Sequence, residues 1–142
     1  MSSVVISGDT SGTVTLSAPA TAGSTTLTLP ASSGTVNVSA SNTQASAASV
    51  TPDITAYTQY NFTALAAGLT INAPTGTAYD GQKLTFRLLD NGTARALTWN
   101  ATYTVIGVTL PTTTTISKTT YVGCTYNLSA TRWDVVAVTT QA

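Results

Sequence analysis

The chain has 142 residues, the size of one ordinary domain or of a small domain carrying an arm, and 42% of them are apolar, enough for one modest core. Only 7% are charged, five Asp balanced by Lys83, Lys118, Arg87, Arg95 and Arg132, with no Glu and no His. Histidine-based catalytic pairs and zinc sites are thereby excluded, as is an intrachain disulfide, since Cys124 is the single cysteine; so few cations without a cluster argue against a nucleic-acid groove.

Thr and Ser supply roughly a third of the residues, so the solvated faces are hydroxyl faces. A chain with zero formal charge has little electrostatic protection against self-association, which points to life in an assembly. No apolar run is long enough to span a membrane, and MSSVVISGDT lacks the basic and apolar segments of a signal peptide. The expectation is synthesis and folding in a cytoplasm, without a membrane partner.

From the N-terminus, residues 1–39 form a β-rich arm. Thr13–Leu16, Thr25–Leu29 and Thr35–Val38 alternate apolar and polar residues, placing Val14 with Leu16, Leu27 with Leu29, and Val36 with Val38 on one face of each predicted strand. These apolar faces are thin and three short strands are marginal alone, so the six residues are the expected assembly contacts of the arm. Residues 40–51, with SNTQASAASV, read as a Ser/Ala-rich linker.

Residues 52–142 form the body. Strands are predicted at 54–60, 61–65, 69–72, 83–89, 94–99, 103–108, 119–126 and 132–138. In LTFRLLDNGTARALTW, Asn91-Gly92 is the dipeptide of a type I′ hairpin turn, with Leu84, Phe86 and Leu88 on one face and Leu97 and Trp99 returning. A second hairpin turns near 129–131, with Val122, Cys124, Tyr126 and Leu128 going out and Trp133, Val135 and Ala137 coming back. The fold class expected is all-β: an antiparallel, jelly-roll-like β-sandwich with an extended β-rich N-terminal arm.

GDTSG around Asp9 matches the tetrapeptide of aspartic proteases, whose chemistry needs two carboxylates sharing a proton. Ser7-Gly8 gives that loop no apolar support, so a turn leading into Thr13–Leu16 is the better reading. A glycosidase pair would have to come from Asp53, Asp80, Asp90 and Asp134, and Cys124 falls on an apolar strand face. No catalytic residue, cofactor or metal is assigned. Tyr57, Tyr60, Tyr79, Tyr103, Tyr121, Tyr126, Trp99 and Trp133 could include a sugar-stacking platform, with Trp99 and Trp133 the named candidates, against the favoured alternative of core and interface packing.

The opening SGDTSGTVTLSAPATAGSTTLTLPASSGTV is similar to the Thr/Ser/Gly segment of tailed-bacteriophage structural proteins. The body resembles a C-terminal β module of phage virion proteins through GQKLTFR, DNGTARALTW, LPT, SK, YVG and TRWDV. The resemblance implies a non-enzymatic virion component and no catalytic residues. A single compact head without a long shaft suits a capsid decoration or cement protein on the virion surface. Its implied partners are the major capsid protein and further copies of the chain, with a homotrimer expected from virion symmetry. The alternative is a short tail-fibre or adhesin head binding a host glycan through Trp99 or Trp133.

Overall fold

A computed structural model describes the backbone of residues 3–7 and 13–17 and the whole of residues 40–142. The chain divides into two compact units, Met1–Val36 and Asn37–Ala142.

In the first unit, β1 (Ser3–Ser7) and β2 (Thr13–Ser17) form an antiparallel pair in which Val4 faces Leu16 and Ile6 faces Val14 across the ladder. The predicted strand at Thr13–Leu16 is therefore present, and residues 3–7 supply a partner that sequence reading had not assigned. Asp9 and the predicted strands at 25–29 and 35–38, with Leu27, Leu29, Val36 and Val38, lie outside the described residues.

The second unit is all-β, with no helix among the described residues. Its strands are β3 (Ser41–Gln44), β4 (Ser49–Val50), β5 (Gln59–Leu65), β6 (Leu69–Ile71), β7 (Lys83–Asp90), β8 (Leu97–Trp99), β9 (Tyr103–Val105), β10 (Thr120–Asn127) and β11 (Arg132–Thr140). A six-stranded sheet runs β3-β5-β7-β10-β11-β9 and a three-stranded sheet runs β4-β6-β8. The expectation of an antiparallel body is corrected: β3, β5 and β7 are mutually parallel neighbours, as are β4, β6 and β8, and β9 lies parallel to β11.

The reason is the winding. Each of three successive turns of chain, β3–β4, β5–β6 and β7–β8, gives one strand to either sheet, so a strand's neighbour comes from the next turn and points the same way. Bonds outside the strands stitch the turns together, among them Ala64 N–H to Ala45 O (2.9 Å), Thr70 N–H to Ala48 O (2.9 Å) and Asn91 N–H to Leu65 O (3.2 Å). Two further corrections follow. The Ser/Ala-rich stretch read as a linker carries β3 and β4, and Val50 enters the core. Asn91-Gly92 is a turn with Gly92 at φ 90°, but it passes the chain from one sheet to the other and makes no β7–β8 hairpin.

The second predicted hairpin is present, with Tyr126 opposite Trp133 and Asn127 opposite Arg132. A β-bulge between Gly123 and Cys124 on one side and Val135 and Ala137 on the other leaves Val136 without a partner. The extra residue reverses the alternation, so Val138, not Ala137, continues the inward row, while Val136 and Ala137 are exposed.

Both sheets feed one core. Leu84, Phe86 and Leu88 of β7, Val122 of β10 and Val135 of β11 are fully buried, with Leu69 and Ile71 of β6 and Leu97 of β8 in the same cluster. Phe86 is its aromatic hub, with ring centroids 5.4 Å from Trp99 and 5.7 Å from Tyr103, both edge-on.

Candidate functional site

A concavity of about 640 Å³ opens at the β10–β11 turn and is lined by Asp80, Asn127, Leu128 and Asp134 among others. It brings together two of the carboxylates considered for glycoside chemistry. Both have structural partners: Asp80 accepts the Leu128 N–H (3.0 Å), and Asp134 accepts from Arg132 Nε (2.7 Å) and Asn127 Nδ2 (3.0 Å). The Asn127 and Arg132 donors hold the Asp134 carboxyl below its ordinary range, the reverse of what a general acid requires.

Asp53 lies away from this concavity, where the Thr55 hydroxyl and N–H hold its carboxyl low. Asp90 is buried and tied to Gly92, Ser117 and Thr114. Burial pushes the Cys124 thiol up to about 12, so it packs as a protonated thiol. Among the described residues no group of His, Cys, Asp or Glu could hold a metal ion, and no helix is long and apolar enough to cross a membrane.

The two tryptophans named as a stacking platform have packing roles. Trp133 is 2% exposed and lies against Tyr126 with centroids 5.2 Å apart. Trp99 is half-buried in the Phe86 cluster and donates its Nε1–H to the Pro111 carbonyl (2.9 Å). Of the predicted arm contacts, Val14 and Leu16 sit on β2, paired with Ile6 and Val4.

Sequence reading gave Arg87 no site role and counted Tyr121 only among the aromatics that could include a stacking platform. They face one another across the β7–β10 ladder, and Arg87 is flanked on its other side by Asn61 of β5. Arg87, Tyr121, Thr119, Thr139, Thr140 and Gln141 line a second concavity of about 270 Å³. Alternation marks Arg87 and Tyr121 as outward-facing on their own strands, but only the strand register shows that they are neighbours. Comparison with protein-family models, curated proteins and solved structures finds no match for this chain.

Proposed function

We propose that the chain is a non-enzymatic structural protein of a tailed-bacteriophage virion, acting as a capsid decoration protein that binds the outer shell and stabilises it. The observation that carries this reading is the division into two units, of which the described part of the smaller is a single two-stranded sheet. A pair of strands is marginal alone in water, and a host surface that extends the sheet or covers its face stabilises it. In this reading the two sheets of the body are the layers of a β-sandwich. The small unit engages the major capsid protein, and copies assemble as trimers at junctions of the shell.

A near-absence of charge is consistent with a protein packed against others at high local concentration. The tail-fibre alternative draws no support from Trp133, which is buried, and Trp99 is half-buried in the Phe86 cluster with its Nε1–H bonded to Pro111 O.

The test is the copy number of this chain relative to the main shell protein in purified particles, by quantitative mass spectrometry. A simple symmetric fraction of the shell protein supports decoration; a handful of copies per particle moves the chain to the tail. A truncation starting at Asn37, the first residue of the larger unit, should then fail to bind particles.

A further inference from the structure

Four of the five cations have partners within the chain. Lys83 donates to Thr125 Oγ1, Arg95 to the Leu65 carbonyl and Asn91 Oδ1, Lys118 to the Ala142 carbonyl, and Arg132 to Asp134. Arg87 is the exception among the described residues: its side chain has neither a hydrogen bond nor an ion pair, although it is half-buried on one of the two central strands of a six-stranded sheet.

None of its neighbours accepts from its guanidinium. Asn61, beside it on β5, spends its Oδ1 on Gln59 Nε2 (2.6 Å) and its Nδ2 on Thr43 Oγ1 (3.0 Å). The four described carboxylates, Asp53, Asp80, Asp90 and Asp134, are engaged elsewhere. A planar fork of donors thus lines the 270 Å³ concavity, and among the described residues no anion is paired with it.

We propose that this concavity is a binding site for a carboxylated sugar residue, with the carboxylate on Arg87 and the sugar ring against Tyr121. The charge argues for a carboxylate over a phosphate. Lys83, the nearest cation along β7, is four residues away, about 13 Å in an extended strand, and is bonded to Thr125, while Lys118, next to the lining residue Thr119, is bonded to Ala142; that leaves one guanidinium free, which matches one negative charge in a bidentate pair.

The rest of the lining argues for a sugar over a simple carboxylate. Tyr121 is 41% exposed and offers a ring face with a polar rim, and Thr119, Thr139, Thr140 and Gln141 surround it with hydroxyl and amide groups that pair with sugar hydroxyls. Thr120 Oγ1 and Thr140 Oγ1 lie 2.9 Å apart, and the Gln141 N–H is bonded to the Thr119 carbonyl (2.9 Å). The rim is therefore held in place before a ligand arrives. The site stands on different residues from the arm, so its failure leaves the decoration reading untouched.

The experiment is a 1H–15N shift titration of the full chain with glucuronate, glucose, acetate and inorganic phosphate. Glucuronate should give saturable shifts on the order of millimolar, centred on Arg87, Thr119, Tyr121 and Gln141, with the other three ligands at least about tenfold weaker. Arg87→Gln should lose at least about tenfold in affinity, and Arg87→Lys, which keeps charge without the fork, should fall between.

No saturable shift overturns the proposal. So does glucose or phosphate binding as tightly as glucuronate. Acetate binding equally well overturns the sugar and leaves a docking point for a carboxylate such as an acidic protein side chain. Tyr121→Ala, at an exposed position, repeats the test independently if Arg87→Gln fails to fold; glucuronate affinity unchanged by Tyr121→Ala also counts against the site.

Discussion

Asp90 shows how a nearly uncharged protein uses a buried charge. It ends β7 at 4% exposure, accepts from the Gly92 N–H (2.9 Å), Ser117 N–H (2.9 Å) and Thr114 hydroxyl (2.7 Å), and thereby joins two loops to the sheet. Burial opposes its charged form, but the Ser117, Thr114 and Gly92 donors and the charge of Arg95 outweigh it and hold the carboxyl below its ordinary range. A depressed folded pKa contributes stability above the unfolded value, about 3.9, that is lost as pH falls through the folded one. Thermal unfolding followed from pH 6 to 2.5 should show a fall for the wild type below about pH 4 that is shallower in Asp90→Asn. At neutral pH Asp90→Ala, which strands three donors, should cost about 3 kcal/mol in urea denaturation. Two glycines make a sharper comparison. Gly76 has φ 101° and a Cβ there would lie 2.7 Å from Thr55 Cγ2, whereas Gly92 has φ 90° and its nearest neighbour would be Ser117 Oγ at 3.9 Å. Gly76→Ala should therefore cost about 2–3 kcal/mol, backbone strain plus displacement of the Ile54–Thr55 turn, and Gly92→Ala only the strain, about 1 kcal/mol. Equal costs in the same denaturation series would show that the close approach at Gly76 relaxes freely.

At the scale of the elements, the bulge in β11 decides which side chains reach the core. Removing Val136 restores a regular ladder in which Val135 and Val138 still face inward and Ala137 outward, so that deletion should change stability by less than about 1 kcal/mol. Removing Asp134 instead shifts Trp133 and everything before it by one residue against β10, turning buried Trp133 outward; that variant should be unfolded by circular dichroism at 25 °C. This bulge also marks the limit of what the sequence revealed. The alternation of Leu84, Phe86 and Leu88, and of Val122 and Cys124, was enough to locate β7 and β10, because each apolar row is long and unbroken. The parallel order was not legible: alternation tells which face of a strand is apolar, and says nothing of which strand lies beside it. Asn91-Gly92 favoured a hairpin locally, yet the backbone N–H of Asn91 is claimed by Leu65 of the previous turn. β3 carries no apolar residue at all, being SNTQ, and is held by its ladder to β5 and not by a hydrophobic face. The candidate site was hidden for the same reason, since Arg87 and Tyr121 become one surface only through the β7–β10 register. Trp99 and Trp133 drew notice as large aromatics, and that size is what the core uses.

For the whole molecule, the consequence is a body that should stand without its N-terminal unit. The larger unit begins at Asn37, and the buried residues of its core cluster run from Val50 to Val135 among the described residues, with Ala47 and Val138 packed against them. Its first strand, β3, is anchored by β5, and the Thr58 N–H bonds to Ala40 O (2.9 Å), so the sheet needs the chain from residue 40 onward. A chain starting at Asn37 should therefore fold cooperatively, with a Tm within about 3 °C of the full-length protein, well inside the shift that losing 1 kcal/mol produces in a domain of this size. A chain starting at Thr51 should not, because it lacks β3, β4 and Val50. It opens an edge on both sheets and uncovers Tyr60 and Ile71, each now less than 4% exposed. Differential scanning calorimetry on the two truncations separates these outcomes. Equal stability of both would make β3 and β4 an appendage of the body, whereas collapse of the second alone places the boundary of the folded unit before Ser41, where hydrogen bonding and not composition sets it.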